Sequence, residues 1–134
     1  FISAFGEHVI GKEVETAIKI ASERTSSVIR EFTVAPQIHP SSGLPYHEWF
    51  IDFDKRPDNV SKFSLHLDTE MRNQNLYYDD LISGKILKRQ VVTEVIKDGF
   101  QKYMKEIGKL GGQNKVPRLS NDRSIVDKLI CEEK

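Results

Sequence analysis

The chain contains VIREFTVAPQI at residues 28–38, followed by YHEWFIDF at residues 46–53. Both stretches alternate apolar with polar side chains at the period of two that is typical of a half-buried strand. Between them, residues 39–45 carry the proline, serine and glycine content of a turn. The two stretches are therefore predicted to form a β-hairpin.

The segments around the hairpin indicate further helices and strands. Residues 12–24 and 57–75 carry apolar side chains three and four positions apart, which predicts two amphipathic helices. Residues 1–5 and 86–96 are predicted as strands. Residues 77–81 are predicted as a short polar and aromatic connection.

Two more helices are predicted at the C-terminal end. Asp98 and Gln101 have the spacing of a capping box, which would begin a helix that stops near Gly108. Residues 121–131 are predicted as a short closing helix. The resulting order is the β-α-β-β-α-β order of a ferredoxin-like α+β fold with two C-terminal helices added, in one domain that covers residues 1–134.

Composition limits the function classes. The 134 residues include 20 basic and 20 acidic side chains, so no net charge favours nucleic acid or an anionic membrane. No apolar run approaches the roughly 20 residues that cross a bilayer. The single cysteine, Cys131, cannot form an internal disulfide and is predicted to be an inert side chain on the closing helix. We therefore expect a cytoplasmic protein without a nucleic-acid or membrane partner. Because the sequence starts at Phe1 and not at an initiating methionine, we also expect a fragment of a longer chain.

The histidines and acidic residues do not form a known metal motif. The four histidines are His8, His39, His47 and His66. Their spacing fits neither a zinc finger nor a metalloprotease helix, so each is predicted as a surface or turn residue and no protein-bound metal is expected. The acidic pairs at 52–54 and 79–80 leave two interpretations open, a Mg²⁺ or acid–base site and a solvated strand end and turn.

One loop has the composition of a binding site. Residues 108–123 read GKLGGQNKVPRLSNDR, and their glycines permit close approach of a partner while Pro117 stiffens the exit. The stretch is basic within a neutral chain, so it could receive an anion. An ordinary surface loop after a helix is the other interpretation.

The string LGGQNKVPRLSNDR at residues 110–123 resembles the C-terminal signature of bacterial-type members of the Gretchen Hagen family, the auxin-responsive acyl-acid-amido synthetases. Residues 2–7, 47–53 and 67–78 resemble the same family in the same order. These are adenylate-forming enzymes with a large N-terminal domain and a small mobile C-terminal one. The resemblance implies that this chain is the small lid domain and that the N-terminal ATP-binding domain lies outside it.

The resemblance also implies a reaction in two halves. A carboxylic acid attacks the α-phosphorus of ATP to give an acyl-adenylate and pyrophosphate, and the amine of an amino acid then displaces AMP to leave an amide. The implied partner is the N-terminal adenylation domain of the same polypeptide. ATP and Mg²⁺ would serve the full-length enzyme, and the fragment alone is expected to be inactive and to bind neither.

The family's Gln-x-Lys-x-Pro-Arg loop matches this chain residue by residue. Lys115 matches the lysine that enters the active site, where its ammonium group would stabilise negative charge on the reacting phosphate. Gln113, Arg118, Gly111 and Gly112 are implied to orient or face the nucleotide phosphates. A solvated surface lysine remains the other interpretation of Lys115.

A different class of function is a free-standing ferredoxin-like module that binds a small molecule or RNA through the face of the sheet or through the basic loop. Binding of RNA on the sheet would need aromatic side chains exposed along the central strands. Phe32, Trp49 and Phe53 are the candidates, although their alternation favours burial under the two amphipathic helices.

Overall fold

A mixed three-stranded sheet carries the helices of this domain. The computed structural model describes residues 1–108 and 115–133. The elements, in chain order, are α1 (Gly11–Arg24), β1 (Val28–Gln37), β2 (Tyr46–Lys55), α2 (Val60–Gln74), α3 (Leu76–Ser83), β3 (Val91–Glu94), α4 (Gly99–Glu106) and a 3₁₀ turn (Val126–Lys128). Across those two ranges, every helix is too short or too polar to cross a membrane.

The hairpin predicted from the alternating stretches is confirmed. β1 pairs antiparallel with β2, and Val34 lies opposite Trp49. β3 then pairs with β2 in parallel, so that Val92 lies beside Trp49 on the other side. The strand order is therefore β1-β2-β3, with the hairpin strand β2 in the centre.

One face of the sheet is covered by α1 and α2, which together with that face form what we call the helical layer. Trp49 and Ile51 of β2 point to this face and are buried against the apolar stripes of the two helices. Those stripes consist of Val14, Ala17, Ile18 and Ala21 in α1 and Phe63, Leu67 and Met71 in α2. The spacing of three and four that predicts both helices is thus explained by burial against the sheet.

The opposite face is covered by α4 and residues 115–133, which we call the C-terminal layer. Phe50, the neighbour of Trp49 in β2, points to this side because successive side chains of a strand alternate between faces. It packs with Phe100 of α4 and with Val116 and Leu129 from the chain beyond that helix. The sheet is therefore buried on both faces.

The C-terminal layer also pairs with both edges of the sheet. Leu119 forms an isolated parallel bridge with Val34 of β1, and Cys131 forms an antiparallel bridge with Val95 just after β3. The amide of Glu132 donates to the carbonyl of Glu94 at 2.8 Å. Each outer edge of the sheet is in this way partly occupied from within the domain, which leaves less of it open to pairing with other chains.

The opening segment differs from the predicted strand. Ile2 and Val9 exchange two backbone hydrogen bonds of 2.8 Å, because Gly6 and His8, with φ of 91° and 45°, turn the chain back on itself. In the predicted ferredoxin-like order this strand would lie between the strands that are here β2 and β3. In an antiparallel sheet, the two strands on either side of a third strand run parallel to each other. Because the opening segment does not lie between β2 and β3, these two strands pair directly and in parallel. The α+β class is confirmed, with three strands described where four were predicted.

The segment between the second helix and the last strand also differs. The predicted connection at residues 77–81 lies within α3, whose first turn is capped by the Asn75 side chain accepting from the Tyr78 amide at 2.9 Å. The predicted strand 86–96 is shortened to β3, because the amides of Ile86 and Leu87 donate instead to the carbonyl of Leu81.

The C-terminal elements require two corrections. The predicted third helix exists as α4, but Asp98 has a φ of 60° and its side chain makes no cap; its amide donates to Asp52 instead. The predicted closing helix is reduced to the 3₁₀ turn, because the following residues extend along β3 and pair with it. Cys131 therefore lies in extended backbone, where burial raises the pKa of its thiol and favours the unreactive form.

Candidate functional site

The candidate catalytic residue, Lys115, is the first residue of the loop that the structure describes after Gly108. Its side chain is exposed, whereas the next residue, Val116, is buried in the core of the C-terminal layer. The basic group of Lys115 is thus presented to solvent from a point where the backbone enters the core. Gly111, Gly112 and Gln113 lie outside the described residues, and their predicted contacts with phosphate stay predictions.

The backbone after Lys115 is attached to the outer edge of β1. The Thr33 hydroxyl donates to the carbonyl of Pro117 at 2.6 Å. The Val34 amide donates to the carbonyl of Arg118 at 2.9 Å, and the Ser120 amide donates to the carbonyl of Val34 at 3.0 Å. Three hydrogen bonds within four residues therefore hold this segment against the sheet.

The side chain of Arg118 turns toward the domain rather than away from it. Its Nε donates to Glu15 Oε1 at 3.0 Å, and its Nη1 forms an ion pair with Glu31 and approaches the carbonyl of Phe32 at 3.3 Å. The guanidinium also lies over the ring of Phe32, 4.5 Å from its centroid. Arg118, which is predicted to face the nucleotide phosphates, thus forms ion pairs with two carboxylates of its own domain.

A groove of about 510 Å³ lies between α1 and β1, and Arg118 is among the residues that line it. Its lining mixes both signs of charge, with Lys19 and Arg30 near Glu15 and Glu31. Such a lining does not favour one charge of ligand over the other. The untested alternative of a small-molecule module gains no specific support from it.

The acidic clusters are ion-paired. Asp52 and Asp54 both bind the guanidinium of Arg30, at 2.8 and 2.6 Å. Asp79 binds Arg72 at 2.5 Å. Within residues 1–108 and 115–133, no group of three or more histidine, cysteine or acidic side chains is placed to hold a metal ion. The arrangement at both clusters therefore corresponds to structural ion pairs.

A buried polar network was missed by sequence reasoning. Glu7 is fully buried, and its carboxylate bonds with His47 Nε2 at 2.7 Å and accepts from the Phe5 amide at 2.7 Å. Burial raises the pKa of Glu7, but these hydrogen bonds outweigh it and hold the pKa below its usual value. The Asn75 amide nitrogen donates to the Glu7 carbonyl at 2.9 Å, so the opening segment is attached to the helical layer.

The prediction that all four histidines lie in turns or at the surface is wrong for His47. Its ring is buried in β2 and packs on Tyr78, with 5.1 Å between the ring centroids. Local sequence gives no signal for this, because its partner Glu7 is 40 residues away in the chain.

Binding of RNA to aromatic side chains on the sheet is not compatible with the fold. Trp49 and Phe32 are 1% and 3% exposed and stack on each other at 6.0 Å between centroids. Phe53 packs edge-on against Phe63 of α2 at 5.2 Å. The expected burial under the helices is confirmed for Phe32 and Trp49, and Phe53 is partly buried, which removes the stacking surface that binding of RNA on the sheet would require.

Comparison with known protein families identifies the domain. The family model described as the GH3 family C-terminal domain matches residues 12–124. The chain belongs to the GH3 family. This confirms the resemblance to the Gretchen Hagen synthetases that the loop sequence indicates, and it places α1 and the Arg118 segment within the matched region.

Solved structures show the same fold. A GH3.15 acyl acid amido synthetase superposes with a TM-score of 0.67 at 13% identity, over 91% of this chain and 25% of its own. The AtGH3.15 acyl acid amido synthetase in complex with 2,4-DB gives 0.64 at 16% identity, over 92% of this chain and 24% of its own. No curated protein matches in sequence. The GH3 domain described here thus spans about a quarter of the length of the solved chains that it resembles.

Proposed function

We propose that the chain is the small mobile C-terminal lid of an ATP-dependent acyl-acid-amido synthetase. The family match over residues 12–124 and the fold shared with two acyl acid amido synthetases support this assignment. In that enzyme the partner of the lid is the N-terminal adenylation domain of the same polypeptide. The lid by itself is not catalytic, because it would supply only one side of the active site.

The proposed reaction consumes one ATP and forms one amide. A carboxylate oxygen of the acid attacks the α-phosphorus, and the bond to pyrophosphate breaks. The amine of an amino acid then attacks the acyl carbon, AMP leaves, and the amine gives up a proton. Mg²⁺ would accompany ATP, with ligands from the phosphates and the adenylation domain. A cytoplasmic location, where ATP is available, agrees with the unpaired Cys131.

Lys115 is the residue on which the proposal depends. Attack on the α-phosphorus increases negative charge on its oxygens, and an ammonium group placed there stabilises that charge when water is excluded. The single observation that carries the assignment is the exposed Lys115 directly before the buried Val116, from which hydrogen bonds to β1 hold the following backbone. Gly111, Gly112 and Gln113 are proposed to bring the loop backbone and an amide side chain close to the nucleotide.

The first test compares Lys115→Ala with Lys115→Arg in the complete polypeptide, using ATP–pyrophosphate exchange. The acids form a panel that includes 2,4-DB, which is named with one of the similar structures. We expect Lys115→Ala to lower the exchange rate about 100-fold, and Lys115→Arg to retain part of it.

The matched control is Lys62→Ala, which removes another exposed lysine, from the first turn of α2. Equal exchange rates in Lys115→Ala and the unmodified enzyme would contradict the proposal. An antibody raised against the domain gives a second measurement. A native polypeptide several times heavier than 15.4 kDa supports the lid assignment, whereas a band at 15.4 kDa contradicts it.

A further inference from the structure

We infer that Thr33, Glu31, Glu15 and Arg118 are positioning residues that fix the base from which Lys115 reaches the reacting phosphate. This inference rests on the proposed function of Lys115. It assigns Arg118 to an anchor within the domain instead of to the nucleotide, and it assigns a task to three residues outside the glycine-rich loop. We call these four residues the anchor.

The first step is the distribution of hydrogen bonds along the chain. Lys115 is followed by a backbone that binds β1 at three successive places, the carbonyls of Pro117 and Arg118 and the amide of Ser120. A fully extended chain spans at most about 3.6 Å per residue, so the α-carbon of Lys115 is at most about 11 Å from that of Arg118. The backbone of Lys115 therefore lies close to a segment that is hydrogen-bonded to β1.

The second step is the side chain of Arg118. Glu15 belongs to α1 and Glu31 belongs to β1, so one guanidinium connects the segment to both the helix and the sheet. The face of the Phe32 ring supports the same guanidinium from below. Exposed ion pairs contribute little to stability one at a time. Here two carboxylates, a carbonyl and an aromatic ring contact the same guanidinium. We therefore expect these contacts to fix the position of the Arg118 side chain, while they add little to the free energy of unfolding.

The third step is the consequence for a mobile domain. A lid that swings toward a second domain delivers Lys115 accurately only if the segment moves as one body with the sheet and α1. Misplacement of a catalytic group by about 1 Å can cost about 100-fold in rate. Binding of Arg118 to α1 and β1, together with the Thr33 hydroxyl, supplies that rigid connection.

The fourth step separates an anchor from a direct contact with phosphate. If Arg118 bound the nucleotide, removal of the charge on Glu31 would free the guanidinium and leave binding of ATP unharmed or improved. If Arg118 acts as an anchor, the same removal loosens the base of Lys115. Glu31→Gln therefore gives opposite results under the two assignments.

The structural part of the test uses this chain as it stands and hydrogen exchange measured by NMR. Thr33→Val removes only the hydroxyl of a fully buried side chain, and Thr33→Ser keeps the hydroxyl. We expect the Ser120 amide to exchange about tenfold faster in Thr33→Val and in Glu31→Gln, and to stay near the unmodified rate in Thr33→Ser. The amide of Val95, which donates to Ile51 near the other edge of the sheet, should not change.

The catalytic part uses the complete polypeptide and ATP–pyrophosphate exchange. Glu31→Gln and Thr33→Val should lower kcat about 10-fold while the KM for ATP stays within about twofold. Thr33→Ser, which keeps the hydroxyl, should have a kcat near that of the unmodified enzyme. Either change combined with Lys115→Ala should be no slower than Lys115→Ala alone, because both act through the same residue. Glu94→Gln is the control, since it breaks the exposed pair with Arg56 beside β3.

The outcomes separate the inference from the proposed function. Unchanged exchange in Lys115→Ala overturns both. A slow Lys115→Ala together with normal Glu31→Gln and Thr33→Val overturns the anchor and leaves the function standing. A raised KM for ATP with unchanged kcat in the Arg118→Lys variant, with Glu31→Gln unaffected, overturns the anchor in favour of a phosphate contact. Loss of kcat and protection in both anchor variants supports it.

Discussion

The helical layer and the C-terminal layer cover opposite faces of one sheet with different kinds of structure. The helical layer uses two continuous helices of 14 and 15 residues. The C-terminal layer uses one helix of 8 residues, a 3₁₀ turn of 3 residues and extended chain that pairs with both edges. Continuous helices satisfy their backbone groups internally, whereas the extended segments depend on partners in the sheet.

The two layers are therefore expected to have different tasks: the helical layer stabilises the fold, and the C-terminal layer positions Lys115. The helical layer buries the larger of the two cores and includes Trp49, Phe63 and Leu67, all nearly or fully buried. The C-terminal layer buries less and holds the segment that presents Lys115. Segments with fewer buried contacts open at lower free energy. We therefore expect the helical layer to determine the free energy of global unfolding. We expect the C-terminal layer to determine the position of Lys115.

The largest expected effect tests the helical layer. Trp49→Ala removes the largest fully buried side chain and its stacking on Phe32, and it should lower the free energy of unfolding by about 3–5 kcal/mol. Urea denaturation followed by circular dichroism measures this. A loss below that of the matched variant on the other face would break the comparison.

The matched variant is Phe50→Ala, one residue further along β2 and on the opposite face. Phe50 is 3% exposed and borders the Arg123 guanidinium, 5.6 Å from the ring centroid, so part of its surroundings is polar. We expect a loss of about 3 kcal/mol, at the lower end for an aromatic side chain. The same urea experiment applies, and equal losses at the two positions would mean that the layers contribute alike.

A pH series sharpens the role of the buried network in the helical layer. The pKa of Glu7 lies below its usual value in the folded state, so the carboxylate contributes stability above about pH 4.5 and loses it as the pH falls through the folded pKa. Glu7→Gln should therefore cost about 2 kcal/mol near neutral pH. The difference from the unmodified chain should shrink in acid; a difference independent of pH would contradict this.

Asp68 supplies the control with the opposite sign. Burial raises the pKa of Asp68 despite the nearby Arg72, and its Oδ1 atom makes no hydrogen bond with the described residues. The charged form is therefore disfavoured in the folded state, and that penalty disappears as the pH falls through the raised pKa. Asp68→Asn should cost nothing or stabilise near neutral pH, and this gain should vanish in acid.

The smallest expected loss of stability among the variants that change packing tests how closely the C-terminal layer packs. A methyl group at Gly99, the first residue of α4, would meet the Val95 side chain and lie 3.4 Å from the Ile130 carbonyl. Gly99→Ala should therefore destabilise by about 1–2 kcal/mol, although alanine favours helices. Thermal unfolding measures it. A stabilised variant would show that this layer can shift to accept the methyl group.

Local pattern predicted the elements whose burial follows a simple period. The hairpin, α1 and α2 each show one period over ten or more residues, and each is present. The closing helix was predicted from Ile125, Val126, Leu129 and Ile130, a spacing that a short turn followed by extended chain also satisfies. α3 was missed because it depends on Asn75, which caps it while donating to Glu7.

The candidate site divides in the same way. The sequence itself contains the loop motif, and resemblance to the family selects Lys115 from many lysines. The anchor could not be found there, because Arg118 is 103 residues from Glu15 and 87 from Glu31. Pairs at such separations carry no local signal.

The sequence alone determined the α+β class, the hairpin, the amphipathic helices that cover it and the family signature at residues 110–123. Each of these is read from neighbouring residues, because side-chain period and turn chemistry act over a few positions. Only the tertiary structure decided that the opening segment folds back on itself, that β2 pairs with β3 in parallel and that Arg118 faces its own domain. These outcomes depend on which edges and carboxylates meet in space, and that is fixed by packing of the whole chain.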